Sequence, residues 1–92
     1  MTFSYDYSKD FGETLNKIQK KHKPLYEATL KKMDEIISRD HQTIDYYKNL
    51  RNDLSNFKRV HVLKHYVLFF SVDKEKKHIF FQKIRHHDEA YK

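Results

Sequence analysis

The sequence predicts an α+β domain of order β-α-α-β-β-β, with a helical hairpin packed on one face of a small, mainly antiparallel twisted sheet. Three observations carry this. Thr2 to Tyr7 alternates in character residue by residue, Lys9 to Arg39 repeats its apolar residues at helical spacing, and Phe57 to Lys92 holds three short strand-like runs separated by polar turns.

In chain order, the alternation of Thr2–Tyr7 puts Phe3, Tyr5 and Tyr7 on one side of a half-buried strand. Ser8 suits a helix N-cap, and Phe11, Leu15 and Ile18 then form the apolar stripe of a first helix running to His22. Pro24 is tolerated at a first helical position. Behind it Ala28, Leu30, Met33, Ile36 and Ile37 predict the buried stripe of a second helix ending near Arg39. Asp40 to Leu54 is polar with isolated anchors at Ile44, Tyr47, Leu50 and Leu54, which reads as a loop with one short helical turn.

The second half is the scaffold. Lys58 to Leu63 alternates, with Val60 and Val62 on one face and Arg59 and His61 on the other; if helices cover the valines, Arg59 and His61 face the open side. Tyr66 to Val72 is apolar almost throughout, as a central strand would be. The charged stretch 73–77 (DKEKK) reads as a hairpin turn. Ile79 to Arg85 is the last run, placing Lys83 and Arg85 on one face and Gln82 and Ile84 on the other. The closing HHDEAYK is expected to lie as a short tail across the sheet edge.

Composition bounds the function. Ninety-two residues, 38% of them hydrophobic and including seven Phe and seven Tyr, suit one domain spanning 1–92 with one aromatic core. The absence of cysteine excludes a disulfide scaffold and a zinc-thiolate site. His86 and His87 are sequential and point apart on a strand, and His61 and His65 are too far apart along an extended chain, so neither a metal nor a cofactor is expected. One Gly and one Pro argue against a Gly-rich phosphate loop. No apolar run approaches the ~18 residues of a membrane span, and the opening MTFSYDYSKD has no export pattern, so a cytoplasmic protein without membrane contact is expected.

Charge divides the chain. Residues 1–46 hold eight Lys/Arg and eight Asp/Glu, whereas residues 47–92 hold eleven and five and so supply the whole net charge of +6. A surface of that kind attracts phosphates, although a solvated lysine-rich face is the plain alternative. Five of the seven histidines also fall after Phe57; His22, His41 and His78 are read as ordinary surface residues.

An ordered set of residues is similar to a known family. Leu50, Leu54, Phe57, Lys58, His61-Val62, the run Tyr66-Val-Leu-Phe-Phe and the tail Ile84-Arg-His-His-Asp-Glu-Ala-Tyr91 resemble the RelE/ParE toxin superfamily of type II toxin-antitoxin modules, closest to its YafQ/RelE branch. The resemblance covers nearly the whole chain. It implies a RelE-like microbial RNase fold, metal-independent cleavage of messenger RNA on the ribosome, and a cognate antitoxin with an acidic, partly disordered segment; the toxin is expected to be monomeric when free. It also implies site roles: catalytic histidines at His61 and His87, a C-terminal aromatic at Tyr91, a phosphate-neutralising Arg85 and a basic Arg59 beside the first histidine. Lys48, His65 and Val67 depart from the family pattern.

The chemistry needs little more. RNA's own 2′-hydroxyl attacks the adjacent phosphate, so a protein has to take one proton, stabilise the phosphorane and return one proton. Histidine serves either proton role near neutrality. His61 or His65 is read as the base and His87 as the acid. Lys48, Arg51, Lys58, Arg59, Lys83 and His86 complete the expected RNA and phosphate contacts. The competing expectations are a ParE-like gyrase inhibitor that cuts nothing and an inactive module binding an acidic partner; paired histidines favour the nuclease, since a binding inhibitor has no use for proton-transfer groups.

Overall fold

A computed structural model describes residues 2–49 and 57–90. Leu50, Arg51, Leu54 and Tyr91, each singled out above, lie outside the described residues.

The elements run β1 (Ser4–Tyr7), α1 (Lys9–Lys21), α2 (Lys23–Ile37), a 3-10 turn (Thr43–Tyr46), β2 (Lys48–Asn49), β3 (Phe57–Val62), β4 (Tyr66–Asp73), β5 (His78–His86) and α3 (His87–Ala90). The sheet order is β1-β5-β4-β3-β2, with β1 parallel to β5 and every other pair antiparallel. The apolar run at Tyr66–Asp73 is thus the central strand, as its composition requires.

Ser8 joins three elements. Its hydroxyl accepts the Phe11 N–H at 3.0 Å, capping α1, and donates to the Gln82 carbonyl at 2.6 Å, fastening the start of the helix to β5. His22 caps α2 through its ring Nδ1, and Pro24 follows inside the first turn. The hairpin packs its buried residues, Phe11 and Ile18 from α1 and Leu25, Met33, Ile36 and Ile37 from α2, onto Val62, Leu68, Phe70, Ile79, Phe81 and Ile84. Phe81 is the hub of that core, with Phe11 stacked on it at 5.8 Å and Phe70 at 6.1 Å.

Several expectations are corrected. The buried stripe of α2 runs through Thr29, not Leu30, which is 40% exposed. Positions 25, 29, 33 and 36 make the centre of the buried face, and position 30 falls at its margin, roughly 100° around the helix from Thr29. Phe3 is buried, but Tyr5 and Tyr7 are half exposed because β1 is the edge strand of the sheet among the described residues. The loop after α2 contains the two-residue strand β2. Of the HHDEAYK tail expected across the sheet edge, His86 prolongs β5 and His87–Ala90 form the helix α3, packed against β5 and β4.

Strict alternation would set Ile79 and Phe81 on the same face as Lys83 and Arg85. A register shift resolves the conflict: Phe69 pairs with Lys83 and Phe70 with Phe81, leaving Gln82 as an extra residue. Ile84 therefore joins the core side with Phe81, while Lys83 and Arg85 pass to the face away from the helices.

Candidate active site

Two cross-strand rows make the open face. Lys48 on β2, Arg59 on β3, Phe69 on β4 and Lys83 on β5 stand in register, and next to them stand His61, Val67 and Arg85. Val67 and Phe69 are buried although they face away from the helices, so this side has an apolar floor with basic side chains around it. The Lys83 ammonium sits over the Phe69 ring, 5.1 Å from its centre.

The tight turn from β3 to β4 brings the histidines to that floor. Leu63 adopts φ 55°, a left-handed conformation that reverses the chain within three residues. At the other side of the site, the His87 N–H donates to the His65 carbonyl at 2.5 Å, tying the point where β5 becomes α3 to this turn. His87 consequently lies beside His61. Their rings stack with centroids 6.0 Å apart and planes 20° from parallel, and both residues are exposed.

The other two histidines pair elsewhere. His65 stacks on His86 at 6.0 Å, and His86 meets the Tyr66 ring edge-on at 5.3 Å; Tyr66 in turn meets His22 at 5.8 Å. The His86 ring also accepts the Asp88 N–H at 3.2 Å. These rings form a file at the end of the sheet, so the structure brings His61 together with His87 and His65 together with His86.

Lys58 falls outside the basic rim. It lies on the valine face of β3, 6% exposed, where its ammonium donates to the Tyr47 carbonyl at 3.1 Å and to Asn49 Oδ1 at 2.8 Å and stands 3.4 Å from Asp45. It joins β2 and the 3-10 turn to β3 and has no access to the open face. Arg85, which leaves β5 toward the open face, reaches over the strand's edge to Asp10 at 2.5 Å. Asp10 carried no sequence signal, because an aspartate in a first helical turn is already explained by the helix dipole.

No protein-family model matches the chain. Its sequence is 46% identical over 78 residues to "Putative toxin RelE4" of Methanocaldococcus jannaschii, an alignment spanning 85% of this chain and 79% of that protein. The chain belongs to the RelE/ParE toxin superfamily. Solved structures of RelE-type toxins share its fold: YafQ from E. coli superposes with a TM-score of 0.76 over 99% of this chain and 100% of its own, at 16% identity. A chain of the archaeal RelE-RelB complex from Pyrococcus horikoshii superposes with a TM-score of 0.68 over 98% and 100%, at 19% identity. The α+β architecture expected from the sequence is that of these RelE-like toxins. No helix is long and apolar enough to cross a membrane among the described residues.

Proposed function

We propose that this RelE-family toxin is a ribosome-dependent, metal-independent endoribonuclease that cuts messenger RNA and so stops translation. The observation carrying the reading is the 6.0 Å approach of the His61 and His87 rings on the open, basic face of the sheet. That separation lets one phosphodiester touch both imidazoles.

In this mechanism neutral His61 takes the proton of the 2′-hydroxyl as its oxygen attacks phosphorus. Protonated His87 gives its proton to the departing 5′-oxygen, leaving a 2′,3′-cyclic phosphate and a free 5′-hydroxyl. The additional negative charge of the phosphorane is met by Lys83, Arg59 and Arg85 on the same face. Tyr91, outside the described residues, keeps the base-stacking role that the family resemblance implies. His65 and Lys58 have structural roles here, the first in the ring file and the second beneath β3. A cognate antitoxin with an acidic segment covers the basic face until it is removed, as the RelE-RelB pairing of the Pyrococcus horikoshii complex suggests by analogy.

Incubating the purified protein with programmed ribosomes and mapping message ends tests the reading, with a gyrase supercoiling assay run beside it. Cuts within the message that depend on the ribosome and vanish when the nucleotide 5′ of the cut is 2′-deoxy are expected. An intact message with supercoiling blocked would move the chain to the gyrase-directed class.

A further inference from the structure

Arg85 occupies the cross-strand row of His61 and Val67 and lies two residues before His87, yet its guanidinium is turned off the open face. Nη2 lies 2.5 Å from Asp10 Oδ2 in the first turn of α1, and Nη1 donates to the Ile84 carbonyl at 2.9 Å. The fold makes this reach possible. β1 pairs with β5 only from His78 to Phe81, and the chain then turns through Ser8 into α1, so the rest of the β5 edge faces a helix and not a strand. Asp10 and Arg85 there wall a cleft of about 500 Å³, together with Thr14, Lys17, Tyr66 and His86.

We infer that Asp10 is a positioning residue that parks Arg85 at the sheet edge in the free toxin and yields it to the RNA phosphate. The inference rests on the nuclease reading of His61 and His87. Side-chain rotation alone returns the guanidinium to the open face, since the backbone of Arg85 already stands in the row of His61. The parked state is weak enough to open: the two side chains remain 32% and 52% exposed, and an ion pair in that setting biases an equilibrium by about two- to fivefold. A phosphate presents two oxygens to the guanidinium fork and carries charge that grows in the transition state, so it outcompetes one exposed carboxylate.

A double-mutant cycle tests this by single-turnover cleavage of ribosome-bound message at low ionic strength, using the wild-type chain, Asp10→Asn, Arg85→Ala and the double variant, with thermal melts confirming that each is folded. Asp10→Asn is expected to raise the rate at subsaturating toxin about two- to fivefold and to change nothing in the Arg85→Ala background. Slower cleavage by Asp10→Asn, or an equal gain without Arg85, would overturn the inference. A second readout is independent of cleavage: the Arg85 Nε–H resonance, followed by NMR as a 2′-deoxy oligonucleotide is added, should reach half-shift at about two- to fivefold lower concentration in Asp10→Asn than in the wild type. An unchanged midpoint contradicts it. Should the wild-type chain cut nothing, the nuclease reading falls and the titration still decides whether Asp10 restrains Arg85.

Discussion

Lys58 and His61 show how far apart two neighbouring basic residues stand in role. Three positions apart on one strand, they fall on opposite faces, and only His61 reaches the open side. Alternation made that separation legible in the sequence for Val60, Val62, Arg59 and His61, and Lys58 obeys the same parity. Its grouping with the phosphate ligands followed the family resemblance and its charge, which say nothing about the face. Replacing Lys58 by Ala removes the donor that satisfies the Tyr47 carbonyl and Asn49, a loss of about 1–3 kcal/mol. The urea midpoint should fall accordingly, while cleavage per folded molecule stays at the wild-type level; lost cleavage with unchanged stability would return Lys58 to the RNA. The Arg85–Asp10 pair was not legible at all, because the two residues are 75 positions apart and only the packed helix makes them neighbours.

At the scale of elements, the long periodic segments were readable and the irregular ones were not. The two helices, their Ser8 boundary and the three-strand meander follow from period and capping chemistry. β2 has only Lys48 and Asn49, with no apolar pattern to announce it, and its pairing depends on β3 already being in place. The bulge at Gln82 likewise had no marker except the conflict between two apolar residues and two basic ones at the same parity. Ser8 is where this scale is most exposed to test, since its hydroxyl caps α1 and also binds β5. Ser8→Ala should cost about 1 kcal/mol or more, lowering the melting temperature by roughly 4–8 °C in a domain of this size. A melt unchanged within a degree would show that neither bond matters.

For the whole molecule, stability is tied to pH through one small network. Burial pushes the Glu35 carboxyl up, but the Tyr47 hydroxyl, Lys32 and Arg39 outweigh it and hold the group below its ordinary 4.5. Asp45 is held below 3.8 by Lys74, which outweighs burial, with Lys58 adding to it, and Asp40 is lowered by the Thr43 backbone and hydroxyl. A lowered carboxylate contributes stability above its unfolded value and loses it as pH falls through the folded one, so the urea midpoint should drop on acidification below about pH 4.5. Tyr47 behaves in the opposite sense. Burial and the hydrogen bond to Glu35 push it up to about 12, so its contribution is intact below pH 10 and fades between there and 12. Tyr47→Phe should abolish that alkaline decline and soften the acid one; an unaltered pH profile would mean that the network is not what holds α2 to the 3-10 turn.

The proposed cleavage depends on one pair of rings, those of His61 and His87. Its most direct measurement is single-turnover cleavage of ribosome-bound message by His61→Ala, His87→Ala and the double variant, each shown by thermal melting to be folded. Each single change should slow cleavage by about 10²–10⁴-fold, and the double should lose far less than the product of the two, because the imidazoles act on one phosphodiester as a unit. Cleavage at the wild-type rate by either single variant would contradict it.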